Sequence, residues 1–237
     1  MASGLRIFET DPEAAPKPRP QFASDVVGRF RSGYQVNKRP MSLPEWRVTS
    51  GDPDVMAAVI DLMGSKNNDP AQEWETSGED NLEVFTETPR VRIIVPSAKS
   101  LRQEMILRGL KGIIRRCDGI EQKDERGNPS GKDCECPASF AERKAASKDG
   151  SGCDPEVVLF FRFFDNPDLG IFKFRTGSWS FVRDLARDDA PGKLAEIDGP
   201  AEAYLGLEVV EFESNGQARK FTKPTLDIIG PAPTPAA

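Results

Sequence analysis

Apolar side chains recur with two periods along this chain, and the periods separate strands from helices. From Glu156 to Phe164 a nearly continuous apolar run predicts a strand buried on at least one face. Asp165 to Gly170 predict a turn, and Ile171 to Thr176 return in strict alternation, with Phe172 and Phe174 on one face and Lys173 and Arg175 on the other. Residues 82–86, 91–95 and 113–117 read as shorter strands. Residues 204–213 alternate up to an Asn215-Gly216 hairpin turn, and the returning strand is interrupted by Pro224, which predicts an edge or bulged position.

Helical periods are fewer. Asp52 as N-cap, Pro53 at the first position and Gly64 as stop bracket a helix whose Val55, Val59 and Leu62 share a face. Ser139 to Ala146 predict a second helix, and Ser178 caps a third with Phe181, Val182 and Leu185 on its apolar side. Leu101, Met105 and Ile106 are also at helical spacing. Phe22, Val26, Val27 and Phe30 suit a short helix or turn, and Ser42 to Glu45 resemble a short capped turn around Pro44.

These elements predict an α+β protein, mostly antiparallel sheet, with a small barrel as one arrangement for its C-terminal half. The expected organisation is a strand at residues 5–9 and a Pro-rich arm within residues 1–20, then a single globular region over 21–229. That region contains a zinc-stabilised insertion at 117–153 and a hairpin-rich half at 154–229, and residues 230–237 form a disordered tail.

Composition narrows the chemistry. The net charge of −6 argues against wholesale capture of duplex DNA, so any nucleic-acid contact must be local. The charge is also unevenly spread: Asp52 to Glu87 carry −9, whereas residues 99–116 carry +5. No apolar run approaches the length of a membrane span. The chain has no histidine, which removes the commonest general base and every mixed Cys/His zinc site.

All four cysteines, Cys117, Cys134, Cys136 and Cys153, lie in one stretch, with sixteen, one and sixteen residues between them. Four thiolates suit one tetrahedral zinc ion, although the usual pattern is two close pairs and only one is present. Free thiols and disulfides are the other readings; the residues after Met1 do not form a secretory signal, which disfavours disulfides. Arg162, Lys173 and Arg175 beside Phe172 and Phe174 are compatible with a stacking surface for a single strand of nucleic acid, and equally with ordinary core phenylalanines beneath surface cations.

Longer strings carry a resemblance. Leu5 to Pro12, Gly78 to Glu87, Thr176 to Ser180, Cys117-Asp118-Gly119 and Cys134-Glu135-Cys136-Pro137 resemble the recombination directionality factors of Streptomyces phages, over nearly the whole chain. The resemblance implies an accessory protein of the bacterial host cytoplasm, not an enzyme. It implies a partner, a large serine integrase bound to attachment-site DNA, which the factor switches from integration to prophage excision with little or no direct DNA binding of its own. No integrase-contacting residue follows from the resemblance. The alternative is a zinc-containing single-stranded nucleic-acid-binding protein of phage replication, using Arg162, Phe172, Lys173, Phe174 and Arg175.

Overall fold

The structure, a computed structural model, describes residues 26–36, 39–125, 127–214 and 216–233. The expected strand at 5–9, the Pro-rich arm, Phe22, Asn215 and the last four residues lie outside them. In chain order the elements are β1 (Val26–Val36), β2 (Arg39–Ser50), α1 (Pro53–Met63), β3 (Gln72–Glu73), β4 (Leu82–Phe85), β5 (Arg90–Val95), β6 (Leu101–Gly109), β7 (Gly112–Cys117), β8 (Glu121–Lys123) and β9 (Pro129–Asp133). There follow α2 (Phe140–Lys148), β10 (Asp154–Phe163), β11 (Ile171–Thr176), α3 (Trp179–Arg187), α4 (Ala190–Glu196), β12 (Ala201–Ser214) and β13 (Gln217–Pro231).

The fold is α+β, and its sheet is antiparallel except where β1 runs parallel to β11. The main path runs β3-β4-β2-β1-β11-β10-β6-β7-β8-β9. The branch point is β10: its first half, Asp154 to Leu159, pairs with β6, and Arg162 and Phe163 pair with β5. From β5 the sheet continues through β12 to β13. This limb approaches β2, but no ladder among the described residues joins them, so the sheet does not close into the barrel that the alternating strands allow. Instead α1 packs on β2 and β4, and α3 and α4 pack on β13.

The core is aromatic and sits on one face of the sheet. Phe30, Trp46, Phe161, Phe163, Phe172 and Phe174 are each at most 2 % exposed and contact one another, mostly edge to face with Phe161 stacked on Phe172, at ring-centroid distances of 4.9 to 6.1 Å. Gly28, paired with Phe172, makes this possible: a Cβ there would lie 2.6 Å from the Phe172 ring. Val55, Met56, Val59 and Met63 of α1 and Phe181 and Leu185 of α3 complete the core, and both helices start as their caps predict, at Asp52 and Ser178.

Three local expectations are corrected. Residues 101–109 are a strand, not a helix; Leu101 and Met105 share a buried face under either period, and pairing with both β10 and β7 decides between them. Val26, Val27 and Phe30 lie in β1, held between β11 and β2. Ser42 to Glu45 belong to β2, at the point where its register to β1 shifts between Arg31 and Gly33, so Pro44 falls where the ladder is already interrupted. In addition, the insertion at 117–153 contains β8 and β9 as well as α2, α4 is not among the elements the sequence predicts, and Gly230 and Pro231 end β13 instead of beginning the tail.

Candidate functional site

The cysteines converge where three structural edges meet. Cys117 ends β7, opposite Met105 of β6 and Gln122 of β8. Cys134 follows β9, its backbone N–H donating to the Ile120 carbonyl at 2.5 Å, and Cys153 immediately precedes β10. The sixteen-residue spacings are thus the path lengths of a β8–β9 hairpin on one side and of α2 on the other. Ser139 caps α2 by accepting from the Glu142 N–H, and Arg143 of that helix donates to the Gly119 carbonyl at 2.5 Å, which ties the two loops together.

The Sγ atoms of Cys117, Cys134 and Cys153 all lie within 4.8 Å of one another, and those of Cys117 and Cys134 are 3.1 Å apart, too far for a disulfide. All four cysteines are free thiols. Cys136 lies against Cys134 and Cys153, outside the mutually close three. Cys117 and Cys153 are at most 1 % exposed and pack with Met105, Leu107 and Trp179 in a small second core. A tetrahedral ion with sulfur at about 2.3 Å separates its ligands by about 3.8 Å, so the cluster fits a structural metal in both spacing and donor type.

Burial dominates the electrostatics of the cluster. Burial, reinforced by the hydrogen bond with Cys134, pushes the Cys117 thiol well up. Burial, with its bond to Cys136, pushes Cys153 up to about 11. For Cys136 burial acts upward too, but the backbone N–H and thiol of Cys153, with the thiol of Cys134, outweigh it and draw the value below that of an ordinary thiol. Arg115 stands beside the group, Nη2 at 3.7 Å from Cys136 Sγ and Nη1 at 2.7 Å from the Glu135 carboxylate. Burial opposes its charge, but its bonds to Cys153 and Glu135 hold it firmly protonated. A guanidinium here offsets the negative charge that several thiolates bring to a metal, an outer-shell role that spacing alone does not reveal.

The residues considered for nucleic-acid contact are divided by the sheet. Phe172 and Phe174 are fully buried among the core rings, so neither presents a face to a base. Lys173 and Arg175 lie on the opposite face, and Arg162 on that face donates to the Pro167 carbonyl at 2.8 Å, closing the β10–β11 turn. Burial, aided by the charges of Arg175 and Arg29, draws the Lys173 ammonium below its usual range.

Residues 27–228, which include every residue of the site, match the model of the Gp3-like, recombination directionality factor-like family. The chain belongs to this recombination directionality factor-like family. No solved structure matches it. Among the described residues, the strings that resemble the phage factors have structural work in this family member. Within Gly78 to Glu87, Asp80 accepts from Thr49, Arg29 and Arg31, and Thr86 bonds the Trp46 N–H; Ser178 of the Thr176 to Ser180 string caps α3. The β7 end, the β9 end and the β10 start meet at the cysteine corner.

Proposed function

We propose that this protein is a directionality factor for a large serine integrase: it binds the integrase on attachment-site DNA and turns it from integration to prophage excision, leaving the recombination chemistry to the integrase. The family match over residues 27–228 carries this reading. To redirect the integrase the factor must bind one arrangement of it more tightly than another, since only differential affinity moves such an equilibrium. A structural zinc ion held by Cys117, Cys134, Cys136 and Cys153 belongs to the same proposal. When bound it contributes tetrahedral coordination; the residues around it fix the β7–β8 and β9–α2 loops in register for a partner.

The test is a mobility-shift experiment with attachment-site DNA, with and without integrase, beside a recombination assay. The expected result is a supershift that requires integrase, excision only when both proteins are present, and no recombination by this protein alone. A protein that leaves both the integrase–DNA complex and its product distribution unchanged sinks the reading.

A further inference from the structure

The acidic chain hides a basic sheet face. Opposite the aromatic core, an open groove of about 1130 Å³ is lined by Arg29, Arg31, Arg47, Lys173 and Arg175, together with Trp74 and Tyr34. Two carboxylates, Glu75 and Glu83, line it as well. Alternation along the strands produces the segregation: each position between two core aromatics, such as Lys173 between Phe172 and Phe174, points to the other face.

Glu83 pairs with Arg47 at 2.5 Å, two other carboxylates are each shared between two arginines, and charge remains over. Asp80 takes both Arg29 and Arg31, at 2.6 and 2.7 Å. Glu156 takes both Arg108 and Arg175. Arg102 and Lys173 are placed differently, over one ring: their charged groups lie 5.1 and 5.7 Å from the Phe160 centroid. The register sets the spacing. Arg29 pairs with Lys173, and Arg102 and Arg175 flank Val158 on either side, two strand steps or about 10 Å apart. The result is a row of cations crossing β1, β11, β10 and β6, held by the ladder and not by flexible loops.

We propose that this face binds a phosphodiester backbone, lying along the row from Arg29 to Arg102. Arginine dominates the row, and its planar fork matches phosphate oxygens better than an ammonium does. The half-buried ring of Trp74 in the groove, and that of Phe160 under Arg102 and Lys173, give the face apolar surface beside its cations, which suits a nucleotide chain and has no use for an acidic peptide. The chain's own acidic stretch forms one rim through Glu75 and Glu83, so a polyanion is directed across Lys173, Arg175 and Arg102. Binding here is local in the sense that a net charge of −6 permits.

Fluorescence anisotropy of the full chain, without integrase, tests this with three labelled probes: an oligothymidylate of about 20 nucleotides, a duplex of the same length and a polyglutamate of the same length. The expected result is binding to one or both nucleic acids that weakens about tenfold between ~50 and ~200 mM salt. The tighter of the two identifies a single strand or a duplex as the source of the backbone. Arg102→Glu with Lys173→Glu is expected to lose about tenfold or more in affinity at low salt with an unchanged melting temperature; Arg102→Gln, at an exposed position, serves if the pair disturbs folding. Absence of binding to both nucleic acids, affinity unaltered by the substitutions, or preference for polyglutamate overturns the inference. An integrase supershift that survives while oligonucleotide binding fails overturns it alone and leaves the directionality reading standing.

Discussion

The Thr49 hydroxyl donates to the Asp80 carboxylate at 2.8 Å, and both residues are buried. Arg29 and Arg31 complete the cluster from β1. Burial raises the pKa of Asp80, but the bonds from Thr49, Arg29 and Arg31 outweigh it and hold the group below its ordinary 3.8. A folded-state pKa below the unfolded one stabilises the protein above the unfolded value, and that contribution is lost as pH falls through the folded value. Asp80→Ala is therefore expected to cost about 1–3 kcal/mol near neutral pH by urea unfolding. The gap between variant and wild type is expected to narrow in acid. An equal gap at neutral pH and at about pH 3 refutes the assignment.

Local signals were sufficient where the chain carries its own punctuation. The α1 cap at Asp52, the α3 cap at Ser178 and the β10–β11 alternation are all as the residues predict, because capping and period are properties of a few neighbours. They were insufficient where pairing decides. Leu101 and Met105 fit both periods, and Pro44 looks like part of a short capped turn until the register shift between β1 and β2 is known. The cysteine set was legible because thiols are few; Arg115 was not, because it is one of six cations in a segment whose charge also balances the acidic stretch before it. The basic face was hidden for a related reason. Arg29, Arg102 and Lys173 are far apart in sequence and meet only through the β1–β11–β10–β6 order.

Two neighbours in β11 are expected to behave oppositely. Phe172 is fully buried against Phe30, Phe161 and Phe163, so Phe172→Ala is expected to cost about 3–5 kcal/mol. Gly28→Ala drives a Cβ into the same ring and is expected to cost about 1–3 kcal/mol. Lys173→Gln, on the other face, is expected to change stability by less than about 0.5 kcal/mol. Chemical unfolding of the three variants reads this directly; a Phe172→Ala protein as stable as Lys173→Gln contradicts the assignment of faces.

Asp184 fastens α3 to the edge strand β13. Its carboxylate accepts from Lys223 Nζ at 2.9 Å, and Arg183 and Arg187 lie at 3.3 Å. Both side chains of the Asp184–Lys223 pair are at most 15 % exposed, so removing one partner takes the nearest opposite charge from the other in a largely dry site, leaving Lys223 with Glu208 at 3.1 Å and Asp184 with the two arginines. Asp184→Ala and Lys223→Met are each expected to destabilise by about 1–3 kcal/mol, with the double variant costing clearly less than the sum. Strict additivity in that double-mutant cycle means that the pair does not couple the helix to the strand.

The cysteine cluster makes the most direct prediction about metal. With Cys117, Cys134 and Cys153 sulfurs mutually within 4.8 Å and Cys136 beside them, elemental analysis of the purified protein is expected to find about one zinc per chain. Cys134→Ser removes a ligand from the loop that β8 and β9 hold, and is expected to lose the metal and lower the melting temperature, because ion binding is coupled to ordering of both loops. Arg115→Ala keeps all four sulfurs and removes the nearby guanidinium; it is expected to retain the metal while weakening its hold about 10–100-fold in a chelator competition. That ordering of the two variants separates a metal centre from a merely packed thiol cluster, since packing alone gives Cys134→Ser little effect. A metal-free wild type, with Cys134→Ser equally stable, ends the metal reading and leaves the corner held by hydrogen bonds and the Met105, Leu107 and Trp179 contacts.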